Sequence, residues 1–273
     1  MKPKDTIQVV VSDFHTGSNY ALFVAGEWKG TKEQSHIPRS AQVDIRKHFE
    51  KFAEQVKQLR KGKRVVLVHN GDAVDGDHHN SGDVCTVNVL EQAKIHIDLM
   101  SELQKRIGWQ SGDEIYYTRG TQSHVNEYEN YIAQEMDAVP NGDYFVHDLL
   151  QLEVNGVRSW FVHHGPARGE GANEGNCMRN WLRNIYFEAQ KDGTPSPQIV
   201  YTGHVHNPTY STYVHQSKMK FQTMHGVILP SWQGKTIYAH RVAPYQKNKI
   251  GGVIHEIKED GTVTIPKFSI MGF

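Results

Sequence analysis

The first apolar run, Thr6–Val11, is short, rich in β-branched residues and closed by Ser12-Asp13, the pattern of a buried strand. Residues 17–38 carry Gly17, Gly26, Gly30 and Pro38, which predicts an irregular excursion. Ile45, Phe49, Phe52, Val56 and Leu59 then recur at helical spacing until Lys61-Gly62-Lys63 stops them. Arg64–Val68 predicts a second buried strand. Leu90, Ala93, Ile97, Met100 and Ile107 mark a second amphipathic helix ending at Gly108, Glu114–Thr118 a third strand, and Val125–Ala138 a helix before Pro140-Asn141-Gly142.

The texture then changes. Strand-like runs cover Tyr144–His147, Leu149–Val154 and Ser159–His163, with a turn expected at Asn155-Gly156. A helix near Asn176–Gln190 follows a glycine-rich segment. Ile199–Thr202, further strands through Pro230, and a last pair, Gly252–Ile257 and Val263–Phe268, complete the chain. Strand–helix alternation early and strand pairing late point to an α/β protein with two sheets packed together and helices outside. Neither repeats nor a Pro/Ser-rich linker divide the 273 residues, so one domain, 1–273, is expected.

Acids and bases balance at 30 each, which argues against bulk charge for gripping long nucleic acid. The absence of a long apolar run argues against a membrane span, and TIQVVV is too short for a secretory leader. Cys85 and Cys177 are the only cysteines and form no CxxC pair, so a reducing cytoplasm is expected and any metal must be held by nitrogen and oxygen. There are 17 histidines to draw on.

Each predicted strand end carries chemistry. Asp13-Phe14-His15 follows the first; in extended chain its alternate residues share a side and so a cation. Asn70-Gly71-Asp72-Ala73-Val74-Asp75-Gly76 follows the second, His163-His164-Gly165 follows Ser159–Val162, and Gly203-His204-Val205-His206 follows Ile199–Thr202. Any one of these reads equally as a polar turn or a satisfied core histidine. Four in this order do not.

The ordered set resembles the calcineurin-like metallophosphoesterase family, whose motifs are D-x-H, GDxxD, GNH[D/E], a late HG and GHxH. The resemblance runs from residue 13 to residue 206. It implies a four-layer α/β/β/α sandwich of two mixed sheets and two divalent cations, manganese by resemblance, with iron, zinc or nickel as alternatives. Asp13, His15 and His206 would hold the first cation, Asp72 would bridge, and His164 and His204 would hold the second, with His163 as the fallback for His164. Asp75 would orient the loop or a ligand histidine. The third motif departs: Arg119-Gly120-Thr121-Gln122-Ser123-His124 has no asparagine after the glycine, and its histidine comes two residues late. His124 is read as the catalytic acid, with Thr121 or Gln122, less readily Asn126, as the substitute oxygen ligand.

The implied activity is hydrolysis of a phosphate ester by a hydroxide shared between the metals. Arg119, Arg168, Arg179 and Arg183 are candidates for gripping phosphate. Gly76 stands where the family's protein phosphatases carry arginine, against a protein substrate. The expected substrate is a phosphorylated small molecule, nucleotide or nucleic acid, with no membrane and no obligate protein partner. The competing readings are a phosphodiesterase or nuclease, in which His78, His79, Trp232 and Tyr245 would meet a single strand, and a metal-binding protein of reduced activity.

Overall fold

The computed structural model describes residues 4–31, 35–76, 83–122, 127–217, 220–242 and 248–272. Strand β1 (Thr6–Val11) leads through β2 (Trp28–Lys29) and β3 (Ser35–His36) to helix α1 (Ser40–Arg60) and β4 (Arg64–Asn70). Then come α2 (Val89–Ile107), β5 (Glu114–Thr118), α3 (Tyr128–Glu135), β6 (Val146–His147), β7 (Leu150–Val154) and β8 (Val157–Val162). The remaining elements are α4 (Asn176–Lys191), β9 (Ile199–Thr202), β10 (Thr209–Ser217), β11 (Lys220–Ile228), α5 (Ile237–Val242), β12 (Lys249–Ile257) and β13 (Lys267–Gly272).

The protein is a mixed α/β fold with two larger mixed sheets. One has the order β13-β12-β1-β4-β5-β6, the other β10-β11-β9-β8-β7. In the first, β1, β4, β5 and β6 run parallel and β12 antiparallel to β1. In the second, β8, β9 and β11 run parallel. Parallel strands send their carboxyl ends to one edge, where loops can gather a site.

Strand alternation assigns each side chain to a different apolar cluster. Val9 and Val11 pack with Ile45, Phe49 and Phe52 of α1 and Leu99 and Leu103 of α2. Their neighbour Val10 joins Val66, Val68, Phe161, Tyr201 and Val227, from both sheets. On its other face the second sheet packs Val200, Met224 and Ile228 against Met178, Leu182 and Tyr186 of α4. Each such buried side chain contributes roughly 1.5–3 kcal/mol. Helix α2 starts where the Asn88 side chain accepts from the Leu90 amide and ends at Gly108, φ 72°.

Some elements differ from the sequence reading. Helix α3 covers Tyr128–Glu135 and ends three residues before the expected Ala138; the expected start at Val125 lies outside the described residues. Strand β6 begins only at Val146, because Tyr144 is bonded back to Asn141 in a local turn. In the last hairpin the returning strand begins at Lys267, not Val263. Ile257 pairs with Val263 but Ile254 with Lys267, a one-residue register shift across Pro266, which has no amide proton for the ladder. Helix α5 was not expected from the pattern. The Asn155-Gly156 turn is as expected, with φ of 50° and 79°.

Candidate metal centre

The loops beyond β1 and β4 continue to bond after the strands end. The amides of Asp13, His15 and Thr16 donate to the carbonyls of Gly71, Asp72 and Ala73 at 2.9, 3.0 and 3.0 Å. This pairing brings D-x-H against GD. Asp13 and His15 sit at φ 54° and 43°, so they converge through a left-handed loop and not, as expected, through strand alternation. Asp72 (54°), His204 (66°) and His206 (56°) share that backbone region. Among the described residues, eight non-glycine positions have positive φ, and five of them are these candidate ligands.

Asn70 ties the two sheets together. Its Oδ1 accepts from the Thr118 hydroxyl at 2.9 Å, its Nδ2 donates to the Val162 carbonyl at 3.2 Å, and its own carbonyl accepts from Ser12 Oγ at 2.7 Å and His163 Nδ1 at 2.8 Å. Glycines let the loops close. A Cβ on Gly120 would stand 2.2 Å from the Asp72 amide nitrogen, and one on Gly203 would stand 2.8 Å from Asp13 Oδ2.

The side chains form three overlapping groups, within each of which the donor atoms lie within 4.8 Å of one another: Asp13–His15–His206, Asp13–Asp72–His163 and His163–His164–His204. His206 Nε2 lies 3.1 Å from Asp13 Oδ1 and 3.2 Å from His15 Nε2. His163 Nε2 lies 3.1 Å from Asp72 Oδ2. Asp75 Oδ1 holds His15 Nδ1 at 3.1 Å and accepts from Gln233 Nε2 at 3.1 Å, so its carboxylate orients a histidine of the cluster. These Asp and His groups could hold metal. Carboxylate oxygens and imidazole nitrogens without thiolate suit borderline and hard divalent ions.

Asp13 and Asp72 are 0% and 1% exposed, and buried acids need positive charge beside them. An imidazolium or a cation supplies it equally. Burial would raise the Asp13 carboxyl, but the charges of His206 and His163 hold it well below the usual range. Burial likewise opposes protonation of His163, yet Asp13 and Asp72 raise it to about 10. His15 is raised too: burial works against it, and Asp75 and Asp72 prevail. His164 and His204 are lowered by burial and by the neighbouring His163.

Of the other predicted residues, His124 and Asn126 lie outside the described residues, as do His78, His79 and Tyr245. Thr121 reaches the cluster. Its amide donates to Asp72 Oδ1 at 2.6 Å and its hydroxyl to Oδ2 at 3.2 Å. Gln122 is exposed. Of the arginines expected to grip phosphate, Arg119 pairs with Asp148 at 2.9 Å and Arg168 with Glu174 at 2.7 Å. Arg179 and Arg183 lie on exposed positions of α4. Trp232 cannot stack on a base, because it is fully buried against Phe14, Phe49 and Phe52.

Sequence reasoning missed Glu129. Its carboxylate accepts from the amides of Ala73 and Gly120 at 3.2 and 2.7 Å, clamping the loops that carry Asp72 and Thr121. Burial and the charge of Asp72 push it up to about 7. The sequence reading preferred His164, with His163 as the fallback, and the structure brings both to the cluster. The alternation of β8, which buries Val157, Ser159 and Phe161, carries His163 inward and was a signal available in the sequence.

No protein-family model matches the chain, and no curated protein matches it in sequence. Among solved structures it is similar to a Thermotoga maritima protein determined by solution NMR, with 13% identity over 98% of this chain and 99% of that one and a TM-score of 0.39. It is similar to the sulfate thiohydrolase SoxB of Thermus thermophilus in complex with glycerol, with 8% identity over 98% and 56% of the two chains and a TM-score of 0.44. It is also similar to a 5'-nucleotidase from Candida albicans, with 11% identity over 85% and 48% and a TM-score of 0.31. The chain spans about half the length of the last two.

Proposed function

We propose that the chain is a metal-dependent phosphoesterase of the calcineurin-like type, acting on a phosphorylated small molecule or nucleotide. The observation that carries this reading is the convergence of four motifs, far apart in sequence, on one Asp/His cluster in which Asp13 and His163 each belong to two donor groups. The three apolar clusters, helix against sheet, sheet against sheet and sheet against helix, support the four-layer arrangement and a single domain. The two free cysteines accord with a cytoplasmic setting. Among the described residues no helix is long and apolar enough to cross a membrane.

Two divalent cations, manganese or a close neighbour, would acidify water and neutralise phosphoryl oxygens in this site. The chain's own part is positional. Asp13, His15 and His206 form one side, Asp72 stands between, and His204 with the His163-His164 pair forms the other. Asp75 holds the His15 ring by Nδ1, which presents Nε2 to the cluster. His124 is assigned the proton for the leaving oxygen, a task suited to imidazole near neutral pH.

The test is hydrolysis of an aryl phosphate and a bis-aryl phosphate by the metal-loaded protein. Turnover of the monoester is expected, with His124→Ala lowering kcat by about 10²–10⁴-fold. Faster cleavage of the diester would move the assignment to a phosphodiesterase. Metal bound without cleavage of either would leave a binding protein. Full activity in His124→Ala would remove that residue from the mechanism.

A further inference from the structure

The second half of the centre differs from the resembled pattern in two ways that belong together. The pattern supplies an asparagine and one late histidine there, whereas this chain has Thr121 and a histidine doublet. Strand β8 turns His163 inward, and Nδ1 is spent on the Asn70 carbonyl, so Nε2 faces Asp72. His164 follows where Gly165 packs so closely on Thr202 that a Cβ would stand 2.4 Å from its Cγ2. The His164 ring therefore stays beside the cluster, with its centroid 4.8 Å from that of His163 and 4.5 Å from that of His204. One nitrogen from each of the three lies within 4.8 Å of the others. The Thr121 hydroxyl lies 3.2 Å from Asp72 Oδ2, 3.5 Å from His163 Nε2 and 3.4 Å from His204 Nδ1, but a neutral hydroxyl is a weaker ligand than imidazole for a borderline cation such as zinc.

Resting on the reading above, we propose that His164 replaces the missing asparagine, so that the second cation is held by His163, His164 and His204 with Asp72 as the shared carboxylate. Three imidazoles and one carboxylate make a zinc-like donor set. The other position, with Asp13, His15 and His206 beside Asp72, is richer in oxygen. Every site of this kind binds Zn²⁺ more tightly than Mn²⁺, so the distinguishing quantity is how much more tightly at each. The zinc preference is larger at the second position.

The test is calorimetric titration of the metal-stripped protein with Zn²⁺ and, separately, Mn²⁺. The wild type is expected to take two ions of either kind, with unequal zinc-to-manganese ratios. His164→Ala should weaken one zinc site by at least about tenfold and remove the inequality, while its thermal melt without metal is unchanged because His164 is exposed. Thr121→Val should keep both ions. Retention of both zinc affinities in His164→Ala, loss of one ion in Thr121→Val in its place, or a wild type that takes a single ion would each overturn the inference. A wild type that takes no ion at all would overturn the phosphoesterase reading instead.

Discussion

His163 donates its Nδ1 proton to the main-chain oxygen of Asn70 at 2.8 Å, which fixes the ring and turns Nε2 to within 3.1 Å of Asp72 Oδ2. The bond joins the carboxyl end of a strand in one sheet to that of a strand in the other.

Asn70 is therefore expected to matter for stability beyond its size. Asn70→Ala leaves the Thr118 hydroxyl and the Val162 carbonyl buried without their partner. At roughly 1–3 kcal/mol for each of the two orphaned groups, the loss should be about 2–6 kcal/mol in total. A urea midpoint equal to that of the wild type would refute it.

Asp75→Ala should weaken ion binding more than folding. Asp75 fixes the His15 ring and accepts from Gln233, and its side chain is only 15% exposed, so its removal also costs some stability. Manganese affinity at the Asp13–His15–His206 position should fall about 10–100-fold, the usual effect of removing a residue that orients a ligand histidine. Titration followed by electron paramagnetic resonance reads this directly, and an affinity equal to that of the wild type would refute it.

Gly120→Ala tests the close approach of two loops. The new methyl would meet the main-chain nitrogen of Asp72 at 2.2 Å, and no rotamer relieves contact with backbone. A loss of about 1–3 kcal/mol is expected, as for overpacked cores, together with weaker uptake of both ions. Unaltered stability and uptake would show that the loops part freely.

A buried imidazole outside the centre sets an acid limit. His255 donates from Nε2 to the Thr264 carbonyl at 2.6 Å and accepts the Tyr201 hydroxyl at Nδ1 at 2.5 Å, leaving no site for a second proton. Burial pushes it down to about 4 from its ordinary 6.5. Above 6.5 it is neutral folded and unfolded and contributes no pH dependence. Between 6.5 and 4 the unfolded chain takes a proton that the native chain refuses, so stability is lost as pH falls. The loss approaches roughly 3 kcal/mol at the acid end. Urea unfolding of the metal-stripped protein at stepped pH should show a steeper acid slope for the wild type than for His255→Gln. Equal slopes would exclude His255 as the cause.

Stripping metal should lower the melting temperature. An ion at about a thousand times its dissociation constant adds roughly 4 kcal/mol to the native state. For a chain of this size that corresponds to a shift of about 10 °C. His15→Ala should shift less on adding chelator, and a wild type indifferent to chelator would contradict the proposed centre.

Much of this arrangement was legible in the order of residues. Strands β1, β5 and β9 span the runs that the apolar pattern predicted, because strands covered on both faces are rich in apolar residues. The motif residues Asp13, His15, Asp72, His204 and His206 are readable for a related reason: each follows such a run. What escaped depends on contacts between distant parts. Glu129 takes its place from two backbone amides contributed by other loops, which no local pattern announces. Arg119 and Arg168 are cationic in any sequence, and only the fold reveals Asp148 and Glu174 beside them. The slip in the last hairpin follows from Pro266, whose effect on a ladder is visible only once the partner strand is known.

Asp13, His15, Asp72, His204 and His206 all stand in the left-handed backbone region, at a cost on the order of 1 kcal/mol each. Together that tension is a sizeable part of what holds a folded chain above its threshold. It is sustained by the bonds between the loops and by the packing that holds those loops in place, like a drawn bow held by its frame. Damage to distant packing, for example at Phe161 or Val66, should then announce itself early as slackness in the three loops, with metal uptake failing while the sheets are still intact.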